Sequence, residues 1–217
     1  MVALRVGVAV EFVTLDEVHW SHGVERHESG SPNVVGAVAL GAACDHLAGI
    51  GMDRAAAAEA GLFEFGRARL LAVPGPELYS TWEFEQPQIG VHTFRLAGYD
   101  HAAVAEGLSV EHGIGVCDGC FRANPLMTRL LCLTGADVEG ITGRLRAGRP
   151  AFLPGAVRAS LGLDSTSDDL VRLADALGDL AGNGPRWTYR VDSGSGAWSP
   201  EPDPRRWPEL ALRLPSA

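Results

Sequence analysis

The order of sequence patterns predicts an α+β fold. Two helical patterns come first, at residues 34–50 and 53–73, and two segments of alternating apolar and polar residues follow, at 78–85 and 89–96. A short helix, a brief strand, a longer strand at 157–163 and an amphipathic helix come next. Elements in this order are typical of an α+β domain.

The polar turn before the first helix is the first candidate for a binding site. Ser31 is a favoured N-cap type, Pro32 has the fixed φ suited to a first helical position, and Asn33 adds a second polar side chain. Such a helix start directs unpaired N–H groups outward, and an anion, phosphate above all, could bind there. The alternative is an ordinary capped helix without a ligand.

The first two helices differ in composition. Residues 34–50 are almost wholly apolar and rich in glycine and alanine, so we predict a buried helix that ends near residues 49–51. Asp53 is predicted to cap the second helix, which stops at the Pro74-Gly75-Pro76 segment. The predicted buried stripe of the second helix consists of Ala58, Leu62 and Phe65.

The middle of the chain alternates between strands and helices. We expect neighbouring strands at 78–85 and 89–96, a helix from the Asp100 cap to about Val110, and a brief strand at 114–117. A helical piece through Leu133 should follow, and the glycine- and arginine-rich residues 134–155 are predicted to be a surface excursion. Leu78, Trp82 and Phe84 share one face of the first strand.

An arginine interrupts the apolar strand at 157–163. Alternation places Arg158, with Ser160 and Gly162, on the face opposite Val157, Ala159, Leu161 and Leu163. A guanidinium in the middle of such a strand is costly unless it stays hydrated or meets an anion, so a carboxylate partner is one hypothesis. An exposed arginine at a sheet edge is the other.

The end of the chain divides into a helix and a tail. Ser165 or Thr166 can cap a closing helix with acidic residues in its first turn. The buried face of this helix is predicted to carry Leu170, Leu173, Leu177 and Leu180. The tail from Gly182 has little periodicity and is expected to lie over the surface, anchored by Trp187, Trp198 or Trp207.

Composition narrows the classes of function. The chain has 217 residues, 46% of them hydrophobic, and a net charge of −9, which argues against nucleic-acid and anionic-membrane partners. No apolar run is suited to crossing a bilayer and the N-terminus lacks a signal-peptide layout, so we expect a cytoplasmic protein. All 18 basic residues are arginines. Chemistry that requires a lysine amine is therefore excluded for this chain.

Two groups of residues suggest metal or thiol chemistry. Cys117 and Cys120 form a Cys-x-x-Cys pair, but Cys44 and Cys132 lie at unrelated spacings and no second pair completes a four-ligand zinc site. A metal or thiol protein stays open as the weaker alternative. His19, His22 and His27 could also bind a metal, although their irregular spacing is more typical of a solvated loop.

Three segments together resemble the class V aminotransferases, a group that includes the cysteine desulfurases. These segments are RHESGSPNVVGAVALGAA, GIGVCDGCFRANPLM and VRASLGLDSTSDDLVRLADAL, in the order and spacing of the family. The resemblance covers roughly residues 7–181 and concerns the C-terminal part of such enzymes. It implies a fold-type I architecture in which residues 1–33 end the large domain, 34–181 form a small domain with a short, mainly antiparallel sheet covered by helices, and 182–217 form a tail.

The resemblance also assigns roles to individual residues. Ser31 matches the serine or threonine that contacts the phosphate of pyridoxal 5'-phosphate (PLP) in the neighbouring subunit, and Arg158 matches the arginine that binds the substrate carboxylate. Arg122 stands where desulfurases carry a reactive cysteine, so sulfur abstraction by that residue is not expected. The family's PLP-binding lysine, its aspartate and its stacking histidine would lie in sequence before Met1.

These observations lead to one principal hypothesis. We expect the C-terminal part of a PLP-dependent, class V aminotransferase-like enzyme that acts on an amino acid and is inactive without a lysine-bearing large domain. Its expected partners are a second copy of the chain or a separate large-domain chain, and no PLP should attach covalently to the chain itself. The alternative is a non-catalytic dimerisation or binding module derived from the same family.

Overall fold

A computed structural model describes residues 9–27, 31–80, 86, 88–148, 153–192, 196–203 and 205. The chain divides into two compact units, residues 1–54 and 55–217. The predicted domain boundaries at residues 33 and 181 stay a prediction. The two units are defined by contacts within the chain and not by the domains of a complete enzyme.

The first unit contains a β-hairpin and a long helix. Strand β1 (Val10–Val13) pairs antiparallel with β2 (Val18–Trp20), a short 3-10 helix (Gly23–His27) follows, and helix α1 occupies Val34–Ile50. The bounds of α1 agree with the prediction, and Gly51 ends the helix with a φ of 89° that favours glycine.

Two predictions for α1 were wrong. Asn33, not Ser31, is the N-cap, because its side-chain oxygen accepts the N–H of Gly36 at 2.9 Å. The helix is also exposed rather than buried: none of its residues is buried, and Val35 is 82% exposed. The apolar composition had led to the prediction of burial.

The second unit contains a four-stranded sheet flanked by helices. Its elements, in chain order, are α2 (Met52–Leu71, which begins in the first unit), β3 (Pro76–Tyr79), β4 (Val91–Leu96), α3 (His101–His112), β5 (Cys117–Gly119), α4 (Asn124–Leu130), α5 (Gly135–Arg146), β6 (Ala156–Ser160), α6 (Ser167–Asn183), β7 (Tyr189–Val191) and β8 (Trp198–Pro200). The strands of the sheet lie in the order β3-β4-β6-β5, and every neighbouring pair is antiparallel. Two short strands, β7 and β8, form a separate hairpin near the end. This architecture confirms the predicted α+β class.

One side of the sheet, which we call the core face, packs against helices α3 and α6. Phe94 and Val157 are register partners in the central strands and both are completely buried there. Apolar burial of this kind provides most of the stability of a domain. The helical side chains of this core are Leu70 from α2, Val104 and Leu108 from α3, and Leu173, Ala174, Ala176, Leu177 and Leu180 from α6.

Helix caps explain where the helices of this unit begin. Asp100 caps α3 by accepting the N–H of Ala102, as predicted. Thr166 caps α6 and exchanges hydrogen bonds with Asp169 in a capping box, and the predicted leucine face of α6 is buried. Thr134 and Asp137 form the same arrangement before α5. The segment 134–155 was predicted to be a surface excursion, and none of the residues of α5 is buried, but the helix itself was not predicted.

Several strand and packing predictions need correction. In α2 the buried residues are Phe63, Gly66 and Leu70, one position away from the predicted stripe, because the close approach to β4 requires Gly66. The strand predicted at 114–117 lies instead at Cys117–Gly119. Strand β6 ends at Ser160, so Leu163 lies beyond it and is 54% exposed. The predicted strand residues Trp82 and Phe84, and the tail residue Trp207, lie outside the described residues.

No single helix in the described parts of the chain is long and apolar enough to cross a membrane. Within the same residues, α1 and α2 reach the required length and composition when they are taken together as a bent pair interrupted at Gly51.

A histidine lies in the contact between α2 and β4. His92 is 2% exposed, and its ring stacks on Phe63 with 4.7 Å between the ring centroids. Its Nε2 atom has no hydrogen-bond partner among the described residues. A Cβ atom on Gly66 would lie 2.5 Å from that nitrogen, so only glycine allows this approach. Burial, opposed weakly by Glu64, lowers the pKa of His92 to about 4.

The lowered pKa of His92 predicts a loss of stability in mild acid. Between pH of about 6.5 and about 4, His92 is protonated in the unfolded chain but stays neutral in the folded chain. The free energy of unfolding should therefore fall by a few kcal/mol as the pH falls through this range. Denaturant unfolding of the wild type and His92→Leu at pH 7 and pH 5 measures this. The variant should lose less stability than the wild type over that interval, and an equal loss would contradict the assignment.

Candidate functional site

Arg158 lies in the middle of the four-stranded sheet. It is the third residue of β6, and its register partners are Thr93 in β4 and Cys117 in β5. Its chain neighbours Val157 and Ala159 are buried on the core face, so the guanidinium belongs to the opposite face, which we call the Arg158 face. The alternative of an arginine on an edge strand is wrong, because β6 has a strand on each side.

The surroundings of Arg158 leave part of the guanidinium without a partner. The residue is half-buried, and its Nε atom is buried with no acceptor among the described residues. A buried donor without a partner costs about 1–3 kcal/mol, and more for a charged group. The Arg158 guanidinium is therefore a positive charge on this face whose loss of hydration at Nε is not offset by an acceptor among the described residues.

A row of side chains extends from Arg158 across the sheet. Tyr79 in β3 pairs with Thr93, and Thr93 pairs with Arg158, so these residues share one face. Burial is the main cause that raises the pKa of Tyr79, which keeps its phenol a neutral hydrogen-bond donor. The period-two alternation of the strands could have identified Tyr79 and Thr93 from sequence, once the register was known.

Phe121 covers the Arg158 guanidinium. The Arg158 Cζ atom lies 5.0 Å from the centroid of the Phe121 ring, within the range of a cation–π contact. Phe121 and Arg122 both have positive φ, 52° and 59°, values that are uncommon for residues other than glycine. The loop thus holds an unfavourable backbone conformation at the point where Phe121 meets Arg158. Sequence analysis missed Phe121, since its partner is distant in the chain.

A cavity of about 240 Å³ adjoins this site. Thr93 and Phe121, which both neighbour Arg158, contribute to its lining. Most of the remaining wall is apolar and includes side chains of α4, namely Leu126, Met127 and Leu130. An anionic group held at Arg158 would therefore have an apolar space beside it.

Ser31 lies in the first unit and Arg158 in the second. Ser31 is exposed and precedes the first turn of α1. Within that turn the N–H of Val34 donates to Pro32 O and the N–H of Gly36 to Asn33, whereas the N–H of Val35 has no acceptor among the described residues. A polar helix start with an available donor is thus present, although Ser31 is not its cap.

The structure does not favour the metal and thiol alternatives. The described residues contain no group of three or more histidine, cysteine or acidic residues that could hold a metal ion. All four cysteines are free. Cys117 is the first residue of β5, and Cys120 follows the strand at the start of a turn in which the N–H of Ala123 donates to Cys120 O.

Comparison with known proteins decides the family. The sequence model of the family described as Aminotransferase class-V matches residues 2–173, which is most of the chain. The chain belongs to the class V aminotransferase family. Among relatives of this class V chain, a cysteine desulfurase from Cronobacter sakazakii is 31% identical over 172 residues, and one from Dickeya dadantii is 33% identical over 152 residues. The class V chain spans 36% and 31% of the lengths of these relatives, and they align with 79% and 70% of it.

Solved structures show the same fold. The cysteine desulfurase CsdA from Escherichia coli, in an S-sulfonic acid form, aligns with 80% of the class V chain with a TM-score of 0.58 and 24% identity. The apo cysteine desulfurase from Thermococcus onnurineus NA1 aligns with 83% of it with a TM-score of 0.63, also at 24% identity. The alignments cover 37% and 39% of those two chains. The class V chain therefore has the fold of a PLP fold-type I protein.

The residues of this class V chain fit PLP only in part. The exposed Ser31 hydroxyl and the available N–H of Val35 at the start of α1 are suitable donors for a phosphate. The chain has no lysine, so it offers no side-chain amine for covalent attachment of the PLP aldehyde. The chain thus offers polar donors at the start of α1 but no side-chain amine.

Proposed function

We propose that this chain is the substrate-recognising part of a PLP-dependent enzyme that acts on an amino acid. A lysine-bearing large domain, on another stretch of polypeptide or on another chain, would complete the enzyme. The observation that carries the proposal is Arg158, a half-buried cation with an unpaired Nε in the middle of a sheet. The family match, and the identity with proteins named cysteine desulfurases, support the same reading.

Arg158 would bind the carboxylate of the substrate. A guanidinium presents two parallel N–H donors, which match the two oxygens of a carboxylate. Phe121 packs against the guanidinium and restricts its plane. The apolar cavity beside Thr93 and Phe121 would accept the side chain of the amino acid. These residues orient the substrate, so that its α carbon is held in one position.

PLP, when bound, supplies an electron sink for reactions at the α carbon of an amino acid. This chain would contribute donors for its phosphate, from the Ser31 hydroxyl and the first turn of α1. Arg122 is exposed and occupies the position at which the resemblance expects a reactive cysteine. An arginine cannot act as a sulfur nucleophile, so we propose chemistry on an amino acid without sulfur transfer through that position.

The absence of lysine predicts how the isolated chain behaves toward PLP. Mixing PLP with the purified chain and then adding borohydride should leave no internal residue modified, and only the α-amino terminus can react. The same treatment with a lysine-bearing large domain present should label that domain's lysine and support turnover of an amino acid. Peptide mapping by mass spectrometry reads the result. An internal adduct on the isolated chain, or no turnover with a large domain that itself binds PLP, would contradict the proposal.

The exposed helix α1 predicts self-association of the isolated chain. Val34, Val35, Val38 and Leu40 are each at least 65% exposed, and an apolar surface of this kind normally marks an interface. We expect the chain to form dimers or larger species, measured by light scattering over a range of concentrations. Val35→Glu with Val38→Glu should favour the monomer, whereas Arg144→Glu on α5 should not. A wild-type chain that stays monomeric at high concentration would contradict this expectation.

The same surface supports a second candidate function. A chain without lysine that associates through α1 could act as a non-catalytic dimerisation module of the family. The PLP experiment separates the two candidates, because only the first predicts turnover when a large domain is supplied.

A further inference from the structure

The tail beyond the family match forms a hairpin, and hydrogen bonds and an ion pair join this part of the chain to α3 and α6. The family model ends at residue 173, and β7 pairs with β8 after that point. The Glu111 carboxylate accepts the N–H of Arg186 at 3.0 Å and the hydroxyl of Tyr189 at 2.8 Å. Asp179 pairs with the Arg186 guanidinium at 2.6 Å. This part of the tail therefore packs against α3 and α6.

A cavity of about 390 Å³ lies between this hairpin and the helices, on the core side of the sheet rather than the Arg158 face. Its volume is within the range of small-molecule sites. Four aromatic residues contribute to its lining, and three of them come from the tail: Tyr99, Trp187, Tyr189 and Trp198.

The charged side chain that lines the cavity is acidic. Asp100 is the only ionisable residue other than tyrosine that lines the cavity among the described residues, and no arginine or histidine does so. One Asp100 oxygen accepts the N–H of Ala102, and no further donor to this carboxylate is found in the described part of the chain. Tyr189 stays a neutral phenol, because burial and its bond to Glu111 raise its pKa. Faces of tryptophan and tyrosine attract cations, and a carboxylate beside them adds to that attraction.

From this lining we infer that the cavity is a binding site for a small organic cation, of the quaternary or alkylated ammonium class. The aromatic faces would contact the alkyl groups that surround the charge, and Asp100 would balance the charge itself. An anionic ligand would face the Asp100 carboxylate and is disfavoured. A neutral apolar ligand would fill the same space but gain nothing from Asp100.

Calorimetric titration of the full chain with choline chloride tests the inference. The uncharged ligand 3,3-dimethylbutan-1-ol has nearly the same shape, so it separates charge recognition from apolar packing. We expect choline to bind at least about tenfold more tightly than this alcohol. Asp100→Asn should weaken choline binding by about tenfold while preserving the helix cap, because asparagine caps helices as well as aspartate. Trp198→Leu should weaken it further.

Glu201→Gln is the matched control. It removes an acidic residue that lies just after the hairpin, pairs with Arg190 and does not line the cavity. Choline binding to this variant should equal that of the wild type. Equal affinity for choline and the alcohol, an equal loss in Glu201→Gln and Asp100→Asn, or no choline binding at all would each overturn the inference. If Trp198→Leu fails to fold, the inference is still tested by Asp100→Asn and by the comparison of choline with the alcohol.

Discussion

Replacing Phe94 by alanine is expected to lower the free energy of unfolding by about 3–5 kcal/mol. Phe94 is completely buried in β4, between its register partners Leu78 and Val157. Its ring lies on the core face, where the sheet meets α3 and α6. Truncation would remove that apolar contact and leave a cavity that rigid neighbours cannot fill.

Denaturant unfolding followed by circular dichroism measures the effect of Phe94→Ala. Arg95→Ala is the matched control, because Arg95 is the next residue of β4 but is exposed on the other face. We expect the control to lose less than about 1 kcal/mol. A similar decrease in the free energy of unfolding in the two variants would contradict the placement of the hydrophobic core on the Phe94 side of the sheet.

Replacing Arg158 by lysine should lower kcat/KM for the amino-acid substrate in the completed enzyme by about 5- to 150-fold, equivalent to about 1–3 kcal/mol. Lysine keeps the positive charge but cannot donate two parallel hydrogen bonds to one carboxylate. PLP retention should change little, because we assign it to the large-domain lysine and to the Ser31 turn. The expected defect is therefore confined to substrate recognition.

Steady-state kinetics of the wild type and Arg158→Lys, each with the lysine-bearing large domain, measure this. Arg172→Lys is the control, since Arg172 is an exposed residue of α6 that pairs with Asp169 on its own helix. An unchanged kcat/KM in Arg158→Lys, or an equal loss in Arg172→Lys, would reduce Arg158 to a structural residue.

Local signals predicted the elements that depend on neighbouring residues. The bounds of α1, the Asp100 cap of α3 and the leucine face of α6 follow from composition, capping and helical periodicity, and the structure confirms them. Alternation placed Arg158 opposite Val157, which the register of β6 also confirms. The family resemblance was likewise confirmed by the match to residues 2–173.

The wrong or missed predictions concern burial and contacts that depend on residues far apart in the sequence. Which face of α2 is buried depends on the contact of Gly66 with His92, which no local pattern reveals. The contact between Phe121 and Arg158 joins two residues far apart in the sequence and depends on left-handed backbone in the loop. Burial of α1 was predicted from composition, but composition shows only that a surface is apolar, not whether this chain covers it.

The N-cap of α1 is a further feature that the sequence did not predict correctly. Ser31 and Asn33 are both favoured caps, and the choice between them depends on where the helix leaves the Pro32 turn. Because Asn33 takes the capping role, the Ser31 hydroxyl is not used as the cap. The proposed phosphate contact therefore does not compete with helix capping for the Ser31 hydroxyl.

The most direct test of the account is to observe the Arg158 Nε–H while an amino acid is added. Nuclear magnetic resonance of the isotope-labelled chain resolves arginine Nε–H signals, and Arg158→Lys identifies the signal of this residue. We expect L-alanine to shift the Arg158 signal and L-alaninamide, which lacks the carboxylate, to leave it unchanged, because a carboxylate that pairs with the guanidinium alters the surroundings of its Nε–H. An Arg158 signal that does not respond to L-alanine, or that responds equally to both compounds, would contradict carboxylate recognition by this residue.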